Sequence, residues 1–255
     1  MSSAQLRDLE RAERALHVGM ELALQHARAG VEVEYKDGGS PVTIADREID
    51  VLLRRELVEP GDGWLSEESP DDGARLDCER VWVVDPLDGT RSFVNGRKDY
   101  SVSIALLVDR QPVLGAVGSP ANGVTVIGGP GHGLQVEGQP EWQLRSVPDR
   151  PRVVMSRSEM KHGEAKHLEG KLPVQPVGSA AYKLALVAGG FADATWTMWP
   201  KHEWDVAAGA ALVQAAGGDV WLPRGGHLLW NRKRPRFVSF AAAQPGFRKL
   251  AERYF

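Results

Sequence analysis

The run Val81-Trp82-Val83-Val84-Asp85-Pro86-Leu87-Asp88-Gly89-Thr90 sets two carboxylates three residues apart at the end of an apolar stretch. The apolar part reads as a buried strand over residues 81–84. Pro86 fixes φ and has no N–H for a ladder, so the strand is expected to stop and the chain to turn there. Gly89 lets backbone approach a ligand with no Cβ in the way, and Thr90 adds a hydroxyl. A strand tip with two acids, a glycine and a hydroxyl suits hard cations and an oxyanion. The bland alternative is an ordinary turn after a strand, where Asp and Gly are common. Such a turn does not ask for a second acid and a threonine at these offsets.

Three further acids have readings of both kinds. Glu67 follows Gly63-Trp64-Leu65, which looks like a short strand delivering it, whereas Asp71 and Asp72 read as a solvated loop and Glu68 as a supporting residue. Asp46 closes Thr43-Ile44-Ala45-Asp46, which fits a capping box in which the acid accepts from the Thr43 N–H. Asp205 starts a helix, where negative charge is favourable in any case. The small residues after it, Ala207, Ala208, Gly209 and Ala211, exceed that need and predict a helix face for close packing. Other features read as ordinary. Gly128-Gly129-Pro130-Gly131-His132-Gly133 lacks the spacing of a phosphate loop and is expected to be a hairpin. The basic run over residues 232–236 reads as a solvated loop, and the eight tryptophans as core or pocket wall.

The elements that must position these groups are legible from periodicity and punctuation. Residues 4–29 predict a helix with Leu9, Leu16, Met20, Leu24 and Ala27 near helical spacing and Gly30 as its stop. Thr43 opens a second helix carrying Ile49, Leu52, Leu53 and Leu57 before Pro60. Strands are expected at 81–84, 101–108, 112–118, 123–127 and 134–137, then a polar loop with three prolines over 138–151. Beyond it strand and helix alternate: 153–155, a helix over 179–189, 192–196, a helix over 205–216, 220–222, a strand at 237–240 and a short C-terminal helix. Strands first and alternation later predict an α+β half over 1–145 and an α/β half over 150–255. With 255 residues and 42% hydrophobic content, the chain has enough material for a sizeable core. A net charge of −3 gives no global pull towards nucleic acid or an anionic membrane. One cysteine, Cys78, excludes an internal disulfide, and the charged N-terminal segment lacks an apolar signal core, which together predict a cytoplasmic protein.

The Asp-Pro-Leu-Asp-Gly-Thr run resembles the metal motif of the inositol monophosphatase superfamily of magnesium-dependent, often lithium-sensitive phosphate monoesterases. Ser40-Pro41-Val42-Thr43-Ile44-Ala45-Asp46, Leu65-Ser66-Glu67-Glu68-Ser69 and Trp204-Asp205-Val206-Ala207-Ala208-Gly209 resemble that family in the same order, so the likeness runs from about residue 36 to 220. It implies a layered αβαβα sandwich. It also implies that Glu67, Asp85, the Leu87 carbonyl, Asp88 and Asp205 hold two or three Mg²⁺, an oxygen-only set that suits magnesium rather than zinc. Thr90, with Asp46 and Glu67, would orient an attacking water. Asp88, Gly89, Thr90, Gly178, Ser179 and Asp205 would meet the substrate, a small phosphate ester. Ser66 stands where inositol phosphatases more often carry glycine, and Met198 where they often carry a Glu for ring hydroxyls. Met155-Ser156-Arg157-Ser158, Gln111-Pro112-Val113-Leu114-Gly115 and Gly178-Ser179-Ala180-Ala181-Tyr182-Lys183 look more like the bacterial 3'-phosphoadenosine 5'-phosphate nucleotidases. His202, two residues before Trp204, looks more like the inositol branch, which stays as the alternative. A non-catalytic phosphate or nucleotide sensor on the same fold is a distant third, because it predicts loss of an acid, Gly89 or Thr90. The family is often dimeric, which allows a homodimer here.

Overall fold

A computed structural model of the chain describes residues 3–30, 33–35, 41–161 and 165–255; Ser40 of the second motif lies outside these residues. The first helix, α1 (Ser3–Ala29), stops at Gly30, whose φ of 92° no ordinary side chain adopts readily. Its buried face is narrower than its large apolar residues imply. Ala12, Ala15, Leu16 and Ala23 are fully buried, Leu9 and Met20 only partly, and Ala27 is exposed. The helix lies close to its neighbours because small residues line the contact. A two-stranded ribbon, β1 (Val33–Tyr35) with β2 (Pro41–Thr43), leads into α2 (Ile44–Leu57), which buries Ile49, Leu53 and Leu57.

The first sheet has six strands in sequence order: β3 (Gly63–Ser66), β4 (Arg80–Asp88), β5 (Ser101–Val108), β6 (Gln111–Ser119), β7 (Val124–Gly129) and β8 (Gly133–Glu137). β3 and β4 are parallel and the other neighbours antiparallel. The glycine-rich stretch between β7 and β8 is the expected hairpin. β4 runs four residues past its expected end, straight through Pro86 to Asp88. The ladder absorbs the proline by a bulge: Asp85 pairs with Ser103 and Asp88 with Ser101, so the β4 side holds one residue more than its partner. A bulge frees the proline from donating a ladder bond.

Both faces of β4 are covered, which explains its uninterrupted apolar run. Trp82 and Val84 face α1 and α2, while Val81 and Val83 join a cluster on the opposite face. That cluster is built with α5 (Ala180–Ala188) and α6 (Glu203–Ala215). Contact of α6 with the sheet is tight enough that a Cβ on Gly115 would sit 2.3 Å from the Ala208 carbonyl oxygen.

The short helix α3 (Thr90–Val94) follows the bulge, and α4 (Arg157–Lys161) follows the first strand of the second sheet. That second sheet contains β9 (Val153–Met155), β10 (Val174–Pro176), β11 (Ala194–Thr197), β13 (Asp219–Trp221) and β15 (Phe240–Ala243), in the order β10-β9-β11-β15-β13. The strand expected at 237–240 is two pieces. β14 (Arg236–Phe237) pairs with β12 (Lys201–His202) at the start of α6, and only β15 enters the sheet. With α5 and α6 between the two sheets and α7 (Arg248–Ala251) packed on β15, the molecule is an αβαβα sandwich. No helix among the described residues is long and apolar enough to cross a membrane.

Candidate active site

The parallel pairing of β3 with β4 sets Ser66 opposite Val84, so Glu67 leaves β3 beside Asp85. From the other side, α6 brings in Asp205. One carboxylate oxygen from each of Glu67, Asp85 and Asp205 lies within 4.8 Å of the other two. Asp85 is 1% exposed. Its Oδ1 accepts from the Leu87 N–H at 3.1 Å, while its buried Oδ2 has no hydrogen-bond partner. A buried carboxylate with an orphaned oxygen and two more carboxylates close by is costly unless a cation joins them.

Asp88 flanks this trio. Its Oδ2 accepts from the Ser179 hydroxyl and from the Ala181 N–H, both at 2.6 Å, so it is fixed at the N-terminus of α5. The Ser179 hydroxyl in turn accepts from the Tyr182 N–H as the cap of α5. Ser179 is therefore already engaged, and Gly178 donates its N–H to Asp99, but both still border the cleft. Asp46 fills both of its expected roles. Its Oδ2 accepts from the Thr43 N–H at 2.8 Å and hydroxyl at 2.6 Å, closing the capping box of α2. Its Oδ1 lies 3.0 Å from the Thr90 hydroxyl, which also lies 3.1 Å from the Leu87 carbonyl oxygen. Gly89, at φ 93°, is the left-handed residue that turns the chain from β4 into α3. Asp205 is the third residue of α6 rather than its first, and its Oδ2 accepts from the His202 N–H at 2.8 Å.

Burial and like charge act together here. Burial above all, then Glu67, Asp88, Asp205 and Asp46, pushes the Asp85 carboxyl well above the usual range. Burial likewise raises Asp205 to about 7, with Lys201 pulling it down and Asp88 and Glu67 adding to the rise. Asp46 is raised by burial despite the Thr43 and Thr90 hydrogen bonds. Burial alone would lower Lys201, yet Asp205, Asp88, Glu159 and Asp85 outweigh it and raise the group. The site thus carries more negative charge than its own cations neutralise. Its donors are all oxygens, and the unpartnered one is buried, so the residues fit a hard divalent cation.

A cleft of about 500 Å³ is lined by Glu67, Asp88 and Asp205 together with Arg91, Arg97, Arg157, Lys161, Lys183 and Lys201. The profile of the Inositol monophosphatase family matches residues 5–253. The chain belongs to the inositol monophosphatase family. It is 37% identical over 203 residues to the 3'-phosphoadenosine 5'-phosphate phosphatase of Mycobacterium tuberculosis, covering 74% of this chain and 72% of that one. It is 34% identical over 224 residues to the 3'(2'),5'-bisphosphate nucleotidase CysQ of Escherichia coli K12, covering 86% and 88%. Among solved structures, CysQ from Bacteroides thetaiotaomicron superposes with a TM-score of 0.76 at 26% identity, covering 93% of this chain and 97% of that one. The suppressor protein suhB of Bartonella henselae superposes at 0.78 with 25% identity, covering 99% and 98%. The expected family, fold and enzyme class, a phosphate monoesterase, agree with these relatives.

Within this inositol monophosphatase family member, several site residues escaped the sequence reading. Lys183 is buried, donates to the Ser179 carbonyl oxygen at 3.1 Å, and is lowered to about 8 by burial and then Lys201. A lone lysine inside the apolar helix Ala-Ala-Tyr-Lys-Leu-Ala-Leu-Val-Ala was its signal. Glu159 accepts from Ser156 and Thr197 and so shapes the Ser156–Arg157 turn on the cleft wall. Ser66, the residue in the usual glycine position, donates to Asp50 of α2, as does Ser69. Met198, which stands where inositol phosphatases often carry a Glu, is half-buried and is not among the residues lining this cleft. The basic run over 232–236 borders a second opening on the far side of Glu67, together with His202 and Trp204.

Proposed function

We propose that this protein is a magnesium-dependent phosphate monoesterase that converts 3'-phosphoadenosine 5'-phosphate to AMP, with inositol 1-phosphate as the weaker substrate. The observation that carries this reading is the polarity of the cleft. Three carboxylates, three arginines and three lysines line the same space. One scissile phosphate beside the cations of a metal site does not need six further positive side chains. A substrate with a second anionic group does, and a polyol leaving group such as inositol offers none. The names of the two relatives, a phosphatase and a nucleotidase of such bisphosphates, point the same way.

Glu67, Asp85 and Asp205, with Asp88 and the Leu87 carbonyl at the edge, would hold two or three Mg²⁺. When bound, magnesium supplies positive charge against the phosphate oxygens and makes a nearby water acidic enough to attack. The protein's own part is orientation. Thr90 has one proton and two acceptors within reach, Asp46 Oδ1 and the Leu87 carbonyl oxygen, so that proton points inward. Its lone pairs are left to accept from a water, turning the water's own lone pair towards phosphorus. Asp46 cannot swing away, because Thr43 holds its other oxygen. Lys201 and Lys183 keep positive charge near the departing oxygen, and the arginines hold the non-reacting phosphate. No side-chain nucleophile takes part. The single half-buried Cys78 fits a reducing, cytoplasmic setting.

Side-by-side kinetics at equal free Mg²⁺ test the substrate. A charge-assisted contact is worth about 1.5–3 kcal/mol, so at least a tenfold higher kcat/KM for the bisphosphate is expected. A clear preference for inositol 1-phosphate would reverse the ranking.

A further inference from the structure

We infer that a buried bridge from Arg75 through Asn231 to Glu203 is a positioning device that fixes the spacing of Glu67 and Asp205. This inference rests on the reading of Glu67, Asp85 and Asp205 as the cation site. Like charge pushes those two side chains apart, and they come from remote parts of the chain, so something must hold their segments together.

Arg75 is 1% exposed, which is rare for a guanidinium without several partners. It holds Asp71, four residues beyond Glu67, through a fork: Nε to Oδ1 at 3.1 Å and Nη2 to Oδ2 at 2.7 Å. Nη2 also donates to the Arg232 carbonyl oxygen at 2.9 Å, and Nη1 donates to Asn231 Oδ1. The Asn231 amide answers by donating to the Arg75 carbonyl oxygen at 3.0 Å. Asn231 and Arg232 then donate their backbone N–H groups to the two carboxylate oxygens of Glu203, at 2.8 and 3.1 Å. Glu203 is fully buried and opens α6, two residues before Asp205. The path therefore runs from the loop that carries Glu67 to the helix turn that carries Asp205. The other flank of that loop is pinned to α2, since Ser66 and Ser69 both donate to Asp50.

A buried ionic network is a poor way to gain stability, because desolvation consumes most of the attraction. Its advantage is geometric: every donor must meet one acceptor, which fixes register where apolar contacts can slide. Arg75, Asn231 and Glu203 do not line the cleft, so their effect on a cation must pass through Glu67 and Asp205. Cutting the bridge lets the two carboxylates relax apart, and a cation must then gather them before binding.

Asn231→Gly cuts the side-chain half of the bridge and leaves the Arg75 Nη2 bond to the Arg232 carbonyl oxygen in place. Asn231 sits at φ 51°, a conformation glycine adopts freely, so the variant keeps the N–H to Glu203 and loses only the side-chain link to Arg75. The full-length protein, stripped of metal, is titrated with Mn²⁺ by calorimetry at 25 °C, and turnover is measured against free Mg²⁺. We expect the Mn²⁺ Kd to rise about tenfold or more, as for other outer partners of metal ligands. Turnover should return to within about threefold of wild type at saturating Mg²⁺. A merely structural contact would lower the melting temperature and leave Kd unchanged. A Kd within twofold of wild type in a folded Asn231→Gly protein overturns the inference. Should that variant not fold, Arg75→Lys, which keeps the charge but loses the fork, decides by the same criterion. Asp85→Asn is the control: if it leaves Mn²⁺ binding intact, the trio is not the cation site and the underlying reading fails, whatever the bridge does.

Discussion

Replacing Asp85 by asparagine should stabilise the metal-free protein while abolishing its response to magnesium. Asp85 gathers with Glu67 and Asp205, its buried Oδ2 has no partner, and burial raises its carboxyl well above the usual range. Asp205 is carried from 3.8 to about 7 by the same surroundings. A carboxyl whose folded pKa is raised favours the fold fully below its unfolded pKa, near 4, and loses that contribution as pH passes the folded value. As pH rises through about 7 the metal-free protein therefore loses the contribution of the Asp205 shift, which burial causes first and like charge adds to. At 1.36 kcal/mol per unit the Asp205 shift alone is worth about 4 kcal/mol. Asp205 keeps part of its surface towards the cleft, and burial is the largest cause of its shift, so about 2 kcal/mol is a fairer expectation.

The amide of Asp85→Asn still accepts from the Leu87 N–H, and an uncharged NH₂ takes the place of the orphaned oxygen, which removes one of the crowded charges. Relief of about 1–2 kcal/mol raises the melting temperature of a chain this long by about 2–8 °C. The assay is thermal unfolding after chelation, with and without Mg²⁺, at pH 8 and pH 5.5. For wild type at pH 8, magnesium at about 100 times its Kd adds about 2.7 kcal/mol; for the variant it should add under about 1 kcal/mol. At pH 5.5 the gap between the two metal-free proteins should narrow, because protons already neutralise the cluster. A metal-free variant less stable than wild type at pH 8, or one that magnesium shifts as far as wild type, would refute the reasoning.

Asp88→Asn should leave a folded protein, since its amide oxygen can keep accepting from Ser179 and Ala181. Its turnover should fall at least about a hundredfold at limiting Mg²⁺, and near wild-type turnover there would sink its role in the site. Thr90→Val should lower kcat about a hundredfold with KM little changed, whereas Thr90→Ser restores most of it; equal loss in both would argue against a hydroxyl that orients water. Lithium should inhibit at saturating substrate, because a small monovalent ion in a magnesium position brings half the charge, and flat turnover across a lithium titration would set this protein apart from lithium-sensitive relatives.

What the sequence made legible follows from how local each signal is. The two Asp residues, Gly89 and Thr90 occupy one turn, and Asp46 and Thr43 one capping box, so their offsets alone carry their geometry. Pro86 misled because a proline inside a strand is tolerated where its strand bulges against the partner, and the partner lies elsewhere in the chain. The face of α1 was misjudged because its contact is made by alanines, whose periodicity carries little hydrophobic signal. Met198 was assigned by counting back from Trp204, and counting cannot tell which way a half-buried side chain faces. The link between Arg75 and Asn231 joins residues 156 positions apart, a pairing that no window along the chain can contain.

The three carboxylates also explain why the layers are arranged as they are. Asp85 lies on a strand buried on both faces, Glu67 leaves its parallel neighbour, and Asp205 arrives on the helix layer between the sheets. A single sheet could present two of these acids, but the third has to come from a layer packed above it. The contact that sets its height is backbone against backbone, Ala208 against Gly115, with no room for a methyl group. Such a contact has almost no compliance. The repulsion within the trio is therefore resisted by this packing together with the Arg75–Asn231–Glu203 bridge rather than relieved by movement, and the protein keeps its carboxylates gathered at the expense of its own metal-free stability. A cation that binds finds the geometry already made, and the energy it releases by neutralising the cluster is available to hold the phosphate.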